Sequence, residues 1–284
     1  MPDRATISEP ALVDARGVVV AYGGQRGPLG RPMPEKRVLH SVDVVISRGQ
    51  TVGIVGESGS GKTTLGRALL GLVPVADGSI RFDGHEIVGR KESALRPLRK
   101  RMQMIFQDPM SSLNPRHDIR HILVAPLLLH GLAGDRREAE VLVRGVLDRV
   151  GLPVAALERY PHELSGGQRQ RVGIARAVVL APDFVLADEI VSGLDVSTQA
   201  QVLQLLGELK RDMKLSMAFI SHDLSVVRAV CDRVYVLSGG RVVEQGACEQ
   251  VFASPQDDYT KVLIDAIPLP VIDPQWLGRG LSQP

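Results

Sequence analysis

The sequence predicts an α/β fold with a mainly parallel core sheet, an antiparallel β subdomain beside it and an inserted helical subdomain. Three patterns carry that expectation. Short apolar runs alternate with helical segments, the rhythm of strand–helix units in a parallel sheet. Nearer the N-terminus, strand-like segments with alternating apolar residues meet a hairpin signal. Between about 108 and 164 strand character disappears and only helical periodicity is left.

Taken in order, residues 1–14 read as a loose tail and Gly17–Tyr22 as a short β-branched strand. Residues 23–34, GGQRGPLGRPMP, are dense in Gly and Pro and read as loop. Val42, Val44 and Ile46 alternate as a strand, and Thr51–Val55 is a compact apolar run suited to a buried central strand. A glycine-rich turn joins it to a helix over Lys62–Leu72, with Leu65, Leu69 and Leu72 on one face. Asp83 and Gly84 divide the segment 78–87 as a hairpin, and Met102–Phe106 reads as a further strand. In the helical block Leu142, Val146, Leu147 and Val150 share a face, with Gly151 placed to end their helix. Helices at about 167–180 and 198–213 then alternate with strands at Phe184–Leu186 and Met217–Ile220, and a hairpin follows at Gly239 and Gly240. The C-terminal thirty or so residues show no period. The expected domains are a tail over 1–11, a main domain over 12–250 carrying the helical insertion at about 108–164, and an extension over 251–284.

Composition narrows the function classes. Of 284 residues, 44% are hydrophobic and 23% charged, which is globular composition. The formal net charge is +2, so neither a strongly basic nucleic-acid footprint nor an acidic tail is expected. Two cysteines, Cys231 and Cys248, cannot form a disulfide framework or metal cluster and suit a reducing compartment. No apolar run is long enough to span a membrane, and no signal-peptide core is evident.

The chemistry concentrates in three places. Gly56, Glu57, Ser58, Gly59, Ser60, Gly61, Lys62 and Thr63 match G-x-x-x-x-G-K-[ST], followed by Thr64, between a strand and a helix. Successive backbone N–H groups there form a concavity for phosphate, reinforced by the helix dipole. Lys62 is expected to reach the β- and γ-phosphates and Thr63 to ligate Mg²⁺. The second place is the apolar strand Phe184–Leu186, which runs on into Asp188 and Glu189. At the C-terminal edge of a parallel sheet, Asp188 suits a Mg²⁺ contact and Glu189 a base for an attacking water. Alone, the pair also reads as a solvated acidic turn. The third is Ser165, Gly166, Gly167 and Gln168, preceding a helix with Arg169, Arg171 and Arg176. Ser165 there is a good N-cap, and the exposed helix N-terminus also suits a phosphate.

Leu164-Ser-Gly-Gly-Gln168 lying between a phosphate loop and a strand ending in Asp188-Glu189 resembles the ATP-binding-cassette (ABC) family over about residues 12–250. The resemblance implies an ABC-type nucleotide-binding domain of P-loop fold, binding ATP and Mg²⁺. Two cassettes pair head to tail in that family, so Ser165 and Gly167 are expected to meet the phosphate held by a second cassette, itself a copy or a paralogue. Gln107 is similar to the glutamine that senses Mg²⁺ and the membrane partner, and Asp195 to the D-loop aspartate. His222 is similar to the switch histidine at the γ-phosphate, and Tyr22 to the aromatic that stacks on adenine. Two positions depart from the family pattern: Ile190 stands where proline is usual, and Gly193 where alanine is usual.

Gln107-Asp-Pro-Met-Ser-Ser-Leu-Asn-Pro-Arg116, VGESGSGKTTLGRALLGL (55–72), VSTQAQVLQLL (196–206) and Ser254–Thr260 resemble importers of oligopeptides, dipeptides and nickel. The last of these carries Asp257 and Asp258 where His-Pro is usual. The resemblance implies an ATPase subunit, peripheral on the cytoplasmic face of the membrane, that energises uptake through integral-membrane permease subunits. A solute-binding protein is implied indirectly, and nucleic acid is not. The rival reading is a soluble ABC ATPase in DNA repair, translation or cluster assembly, whose usual coiled-coil insertions, metal cysteines and basic surface are missing here.

Overall fold

The computed structural model describes residues 11–23, 35–108 and 112–266. Its larger sheet has six strands in the order β10-β9-β3-β8-β7-β6. These are β3 (Thr51–Val55), β6 (Met102–Ile105), β7 (Phe184–Asp188), β8 (Ser216–Ile220), β9 (Arg233–Ser238) and β10 (Arg241–Ala247). All pairings are parallel except β9 with β10. Strands β3, β7 and β8 are buried along their whole length, as expected where both faces of a parallel sheet are covered.

The smaller sheet is antiparallel throughout, in the order β2-β1-β4-β5, from β1 (Val13–Tyr22), β2 (Lys36–Ile46), β4 (Asp77–Phe82) and β5 (His85–Glu86). Its inner face and helix α1 (Lys62–Leu69) share one core with Val52, Ile54, Leu186 and Ile220 of the large sheet. The intervening residues Val55, Val185, Ala187 and Phe219 enter the second core on the opposite face. There they meet the helical block, with α3 (Ile119–Leu129) and α4 (Arg136–Arg149), and the helices α5 (Gly166–Val178), α6 (Val196–Met213) and α7 (Leu224–Val230). Period-two alternation along each strand thus feeds two cores at once.

Several elements differ from the sequence reading. Strand β1 starts at Val13, inside the expected tail. Val13 and Ala15 point inward, but a register shift around Gly17 moves the buried set to Val18 and Val20, which hid the alternation. Helix α1 stops at Leu69, so Leu72 is half exposed rather than on the buried face. In α4 the buried stripe is Ala139, Val143, Val146 and Leu147, while Leu142 is 43% exposed. Helix α2 (Glu92–Arg99) contains Pro97, which had broken its pattern. The C-terminal stretch, read as aperiodic, holds the short helix α9 (Asp258–Asp265), and another, α8 (Cys248–Ala253), crosses the expected start of the extension at 251.

The hairpin turn between β9 and β10 binds both sheets to the glycine-rich loop. Gly240 N–H donates to the Ser60 carbonyl at 3.1 Å, and the Gly240 carbonyl accepts from His40 N–H at 2.9 Å. Its φ is +75°, and a Cβ there would lie 2.1 Å from the Val38 carbonyl oxygen. Gly240→Ala is therefore expected to destabilise the fold by about 3 kcal/mol in denaturant titrations. A loss under about 0.5 kcal/mol would show that the turn relaxes freely.

Candidate functional site

Four adjacent parallel strands deliver the candidate residues to one sheet edge. Gly56 follows β3, Gln107 follows β6, Asp188 ends β7 with Glu189 next, and His222 follows β8. C-terminal strand ends are where an open α/β sheet binds its ligands.

Between β3 and α1 the chain folds tightly enough to need Gly56. Its φ is +146°, and a Cβ would lie 2.1 Å from the Leu237 carbonyl oxygen. The loop closes around Lys62, whose Nζ donates to the carbonyls of Gly56 at 2.8 Å and Glu57 at 2.7 Å. Lys62 is only 5% exposed. Burial pulls its ammonium below the usual lysine range, against the opposing pull of Glu189, Asp188 and Glu57. Ser60 is buried too, and its Oγ has no hydrogen-bond partner among the described residues. Glu57, Ser58 and Gly59 are exposed at the loop tip, and Thr64 is half-buried.

Thr63 Oγ donates to Asp188 Oδ1 at 3.1 Å, joining α1 to the end of β7. Burial raises the Asp188 carboxyl above the usual range; the Thr63 hydrogen bond lowers it, and Glu189 raises it further. Glu189 sits in the left-handed region at φ +49°, held by its own N–H to the Ile220 carbonyl at 3.0 Å. That strained placement turns its carboxylate toward Gln107, whose Nε2 donates to Glu189 Oε2 at 3.0 Å. His222 is exposed beside this edge, and Asp223 next to it caps α7.

Ser165, Gly166, Gly167 and Gln168, the signature of the family the sequence resembles, form a separate group at the start of α5. Ser165 and Gln168 make a reciprocal capping box at the start of α5, with Gln168 N–H to Ser165 Oγ 3.3 Å and Ser165 N–H to Gln168 Oε1 3.1 Å. Ser165 and Gly166 are exposed and Gly167 is half-buried. Asp195 is the N-cap of α6, accepting from Thr198 N–H and Oγ at 2.9 and 2.7 Å, and these bonds hold its carboxyl low. Tyr22 ends β1, 43% exposed, paired with Lys36. Lys62, Thr63, Asp188, Glu189 and Gln107 are thus linked by direct contacts or charge. Among the described residues, the hydrogen bonds of Ser165, Gln168 and Asp195 stay local.

One departure from the family pattern has a visible setting. Ile190 is buried, and its carbonyl accepts from Gln170 Nε2 at 2.9 Å. Gln170, 2% exposed on α5, was missed in the sequence. It lies on the same stripe as Ile174, Ala177 and Val178, so a polar residue at a buried helical position was the available signal. Gly193 adopts φ +75°, where an alanine would be strained. The stretch 109–111 of the extended segment after Gln107 lies outside the described residues.

The family model described as ABC transporter matches residues 39–192. The oligopeptide transport ATP-binding protein AmiF of Streptococcus pneumoniae is 50% identical over 234 residues, covering 82% of this chain and 76% of its own. Its counterpart OppF of Escherichia coli is 47% identical over 237 residues, covering 82% and 71%. Among solved structures, the dimeric ATP-binding cassette MJ0796 in a post-hydrolysis state with ADP and Pi is similar at TM-score 0.73. It is 27% identical and covers 83% of this chain and 98% of that one. The cassette cbiO1 of Clostridium perfringens, part of the complex cbiONQ, is similar at TM-score 0.73 and 27% identity, covering 87% and 92%.

The buried carboxylate makes a stability prediction. With the folded pKa of Asp188 raised above the unfolded one, ionising it costs native stability. That cost is absent below the unfolded pKa and complete once the pH has risen through the folded value. Asp188→Asn, without nucleotide or divalent metal, should melt higher than the parent at about pH 8, the gap closing toward about pH 4. Equal or lower melting at the higher pH would contradict the assignment of burial as the dominant effect.

Proposed function

The chain belongs to the ABC transporter family, and on that premise we propose that it is the ATP-hydrolysing subunit of an importer, energising uptake of peptides or a related small solute through separate membrane permease subunits. One observation carries the reading. Lys62 in its loop, the Thr63–Asp188 pair and the Glu189–Gln107 pair converge on one sheet edge.

The donor set fits a hard divalent cation bound together with phosphates. Thr63 and Asp188 supply two oxygens close together, and among the described residues no group of three or more His, Cys, Asp or Glu forms a protein-only cage. Mg²⁺ suits such a site because it keeps one or two protein oxygens and completes its shell with phosphate and water. When bound it would neutralise charge on the β- and γ-phosphates. Lys62 leaves the loop carbonyls to meet the phosphates, while the loop N–H groups cradle them. Glu189 holds and deprotonates the attacking water, Gln107 orients the Glu189 carboxylate, and His222 helps position the transferring group. Tyr22 supports the adenine.

The outward-facing signature supports a two-cassette arrangement. Ser165 and Gly167 are free of the chain's own loop and serve the phosphates held by a second, head-to-tail cassette, either a copy or a paralogue. The dimeric MJ0796 structure supports that reading. For the membrane partner, a groove of about 1060 Å³ runs between the core and α3 beside the Gln107 segment, lined by Leu72, Phe106, Ala125, Leu128 and Leu129. Arg176 of the signature helix stacks over Phe106 at 5.1 Å, joining the groove to α5. A permease seated there receives the movement of Gln107 and α5 when the cassettes close. Among the described residues no helix is long and apolar enough to cross a membrane, which accords with separate permease subunits and a peripheral, cytoplasmic-face position.

Glu189→Gln keeps the shape and hydrogen bonding of the side chain but removes the base. It should bind ATP within about three-fold of the parent and release phosphate about 10² to 10⁴-fold more slowly. Phosphate release near the parental rate would remove Glu189 from the role.

A further inference from the structure

The C-terminal extension reaches the phosphate loop. Glu57 N–H donates to Tyr259 Oη on α9 at 2.8 Å, across 202 positions of sequence. The carbonyl of the same residue accepts from Lys62 Nζ at 2.7 Å. The loop residue is therefore held on both polar groups of its backbone, one by the lysine that serves the phosphates and one by the extension.

Tyr259 is itself fixed at several points. Glu244 on β10 accepts from the N–H groups of Gln256 and Asp257 at 2.9 and 3.0 Å, which sets how the chain approaches α9. Asp257 caps that helix by accepting from Tyr259 N–H at 2.9 Å. Thr260 beside it is 2% exposed, and Tyr259, Leu263 and Ile264 pack against the larger core. Asp257, one of the two residues that depart from the family tail, thus has a defined task here as the cap of the helix that carries Tyr259.

We propose that Tyr259 is a positioning residue for nucleotide binding: its hydroxyl holds the peptide N–H of Glu57, so that docking of the C-terminal helix sets the shape of the phosphate loop. The inference rests on the reading of residues 56–63 as that loop. Once Lys62 turns from the loop carbonyls to a phosphate, the Glu57 carbonyl keeps only the Ser60 N–H of its own loop, at 3.2 Å, and the Tyr259 contact is then what ties residue 57 to the C-terminal helix. A loop restrained beforehand loses less freedom on binding, which strengthens affinity without any contact between tyrosine and nucleotide. The coupling is reciprocal, so bound nucleotide also tightens α9.

Tyr259→Phe deletes one oxygen and keeps the packed ring. Calorimetric titration of the full chain with ATP and Mg²⁺ should show affinity about three- to ten-fold weaker than the parent, the scale of one hydrogen bond. KM for ATP should rise by the same factor, with kcat within about two-fold and a melting temperature without nucleotide lowered by at most about 4 °C. Glu244→Gln, which loosens the approach to α9 without touching the loop, should weaken affinity in the same direction by less. Parental ATP affinity in both variants overturns the proposal, as does a fall in kcat at unchanged affinity. Failure of the parent itself to bind ATP overturns the phosphate-loop reading instead, so the two failures are told apart.

Discussion

Lys62 is almost wholly buried along its length, and two carbonyls of its own loop share the charge of its ammonium. A cation in that position is tolerable only if the backbone around it is held in one shape and carboxylates stand near. Both conditions are met by distant parts of the chain. Gly56 lets the loop press against the Leu237 carbonyl, Gly240 ties the β9–β10 turn to Ser60, and Asp188, Glu189 and Glu57 provide the opposing charge. On the proposed function the loop is thus prepared for phosphate, because the ammonium needs only to exchange carbonyl oxygens for phosphate oxygens.

The Glu189–Gln107 pair is arranged by strain and sheet order. Strands β6, β7 and β8 lie side by side, so the residues that follow them meet although they are far apart in sequence. Glu189 leaves β7 with a left-handed backbone and thereby faces Gln107, the residue after Phe106, which lines the groove beside α3. On the other side, Gln170 fastens the same turn to the signature helix through the Ile190 carbonyl. One short segment, Asp188–Ile190, consequently touches the phosphate-loop threonine, the glutamine beside the groove and the signature helix. On the proposed function, a change at the phosphates reaches both Gln107 and α5 through this segment.

Much of this was legible in the sequence because it depends on local pattern. The loop residues Gly56–Thr63, the strand ending in Asp188 and the cap at Ser165 each follow from spacing and residue type over fewer than ten positions. The parallel core strands were equally readable, since Thr51–Val55 and Met217–Ile220 are uninterrupted apolar runs. What escaped notice rests on long-range geometry or on a broken period. The register shift around Gly17 displaced the alternation of β1, and Pro97 disguised α2. The contact of Tyr259 with Glu57 joins opposite ends of the chain and leaves no trace in either segment alone. Gln170 stood in plain view on a buried stripe, but a glutamine between two arginines reads as surface until the Ile190 carbonyl is seen to need a donor.

On the proposed function, this chemistry drives a membrane partner seated at the groove. Its most direct test is isolation of the tagged full chain from its native membranes in mild detergent, with the accompanying proteins identified by mass spectrometry. Recovery of multi-span permease subunits, together with a second cassette or a second copy of this chain, is the predicted result. Recovery of soluble partners or nucleic acid alone would contradict the importer and leave an ATP-driven clamp of another kind.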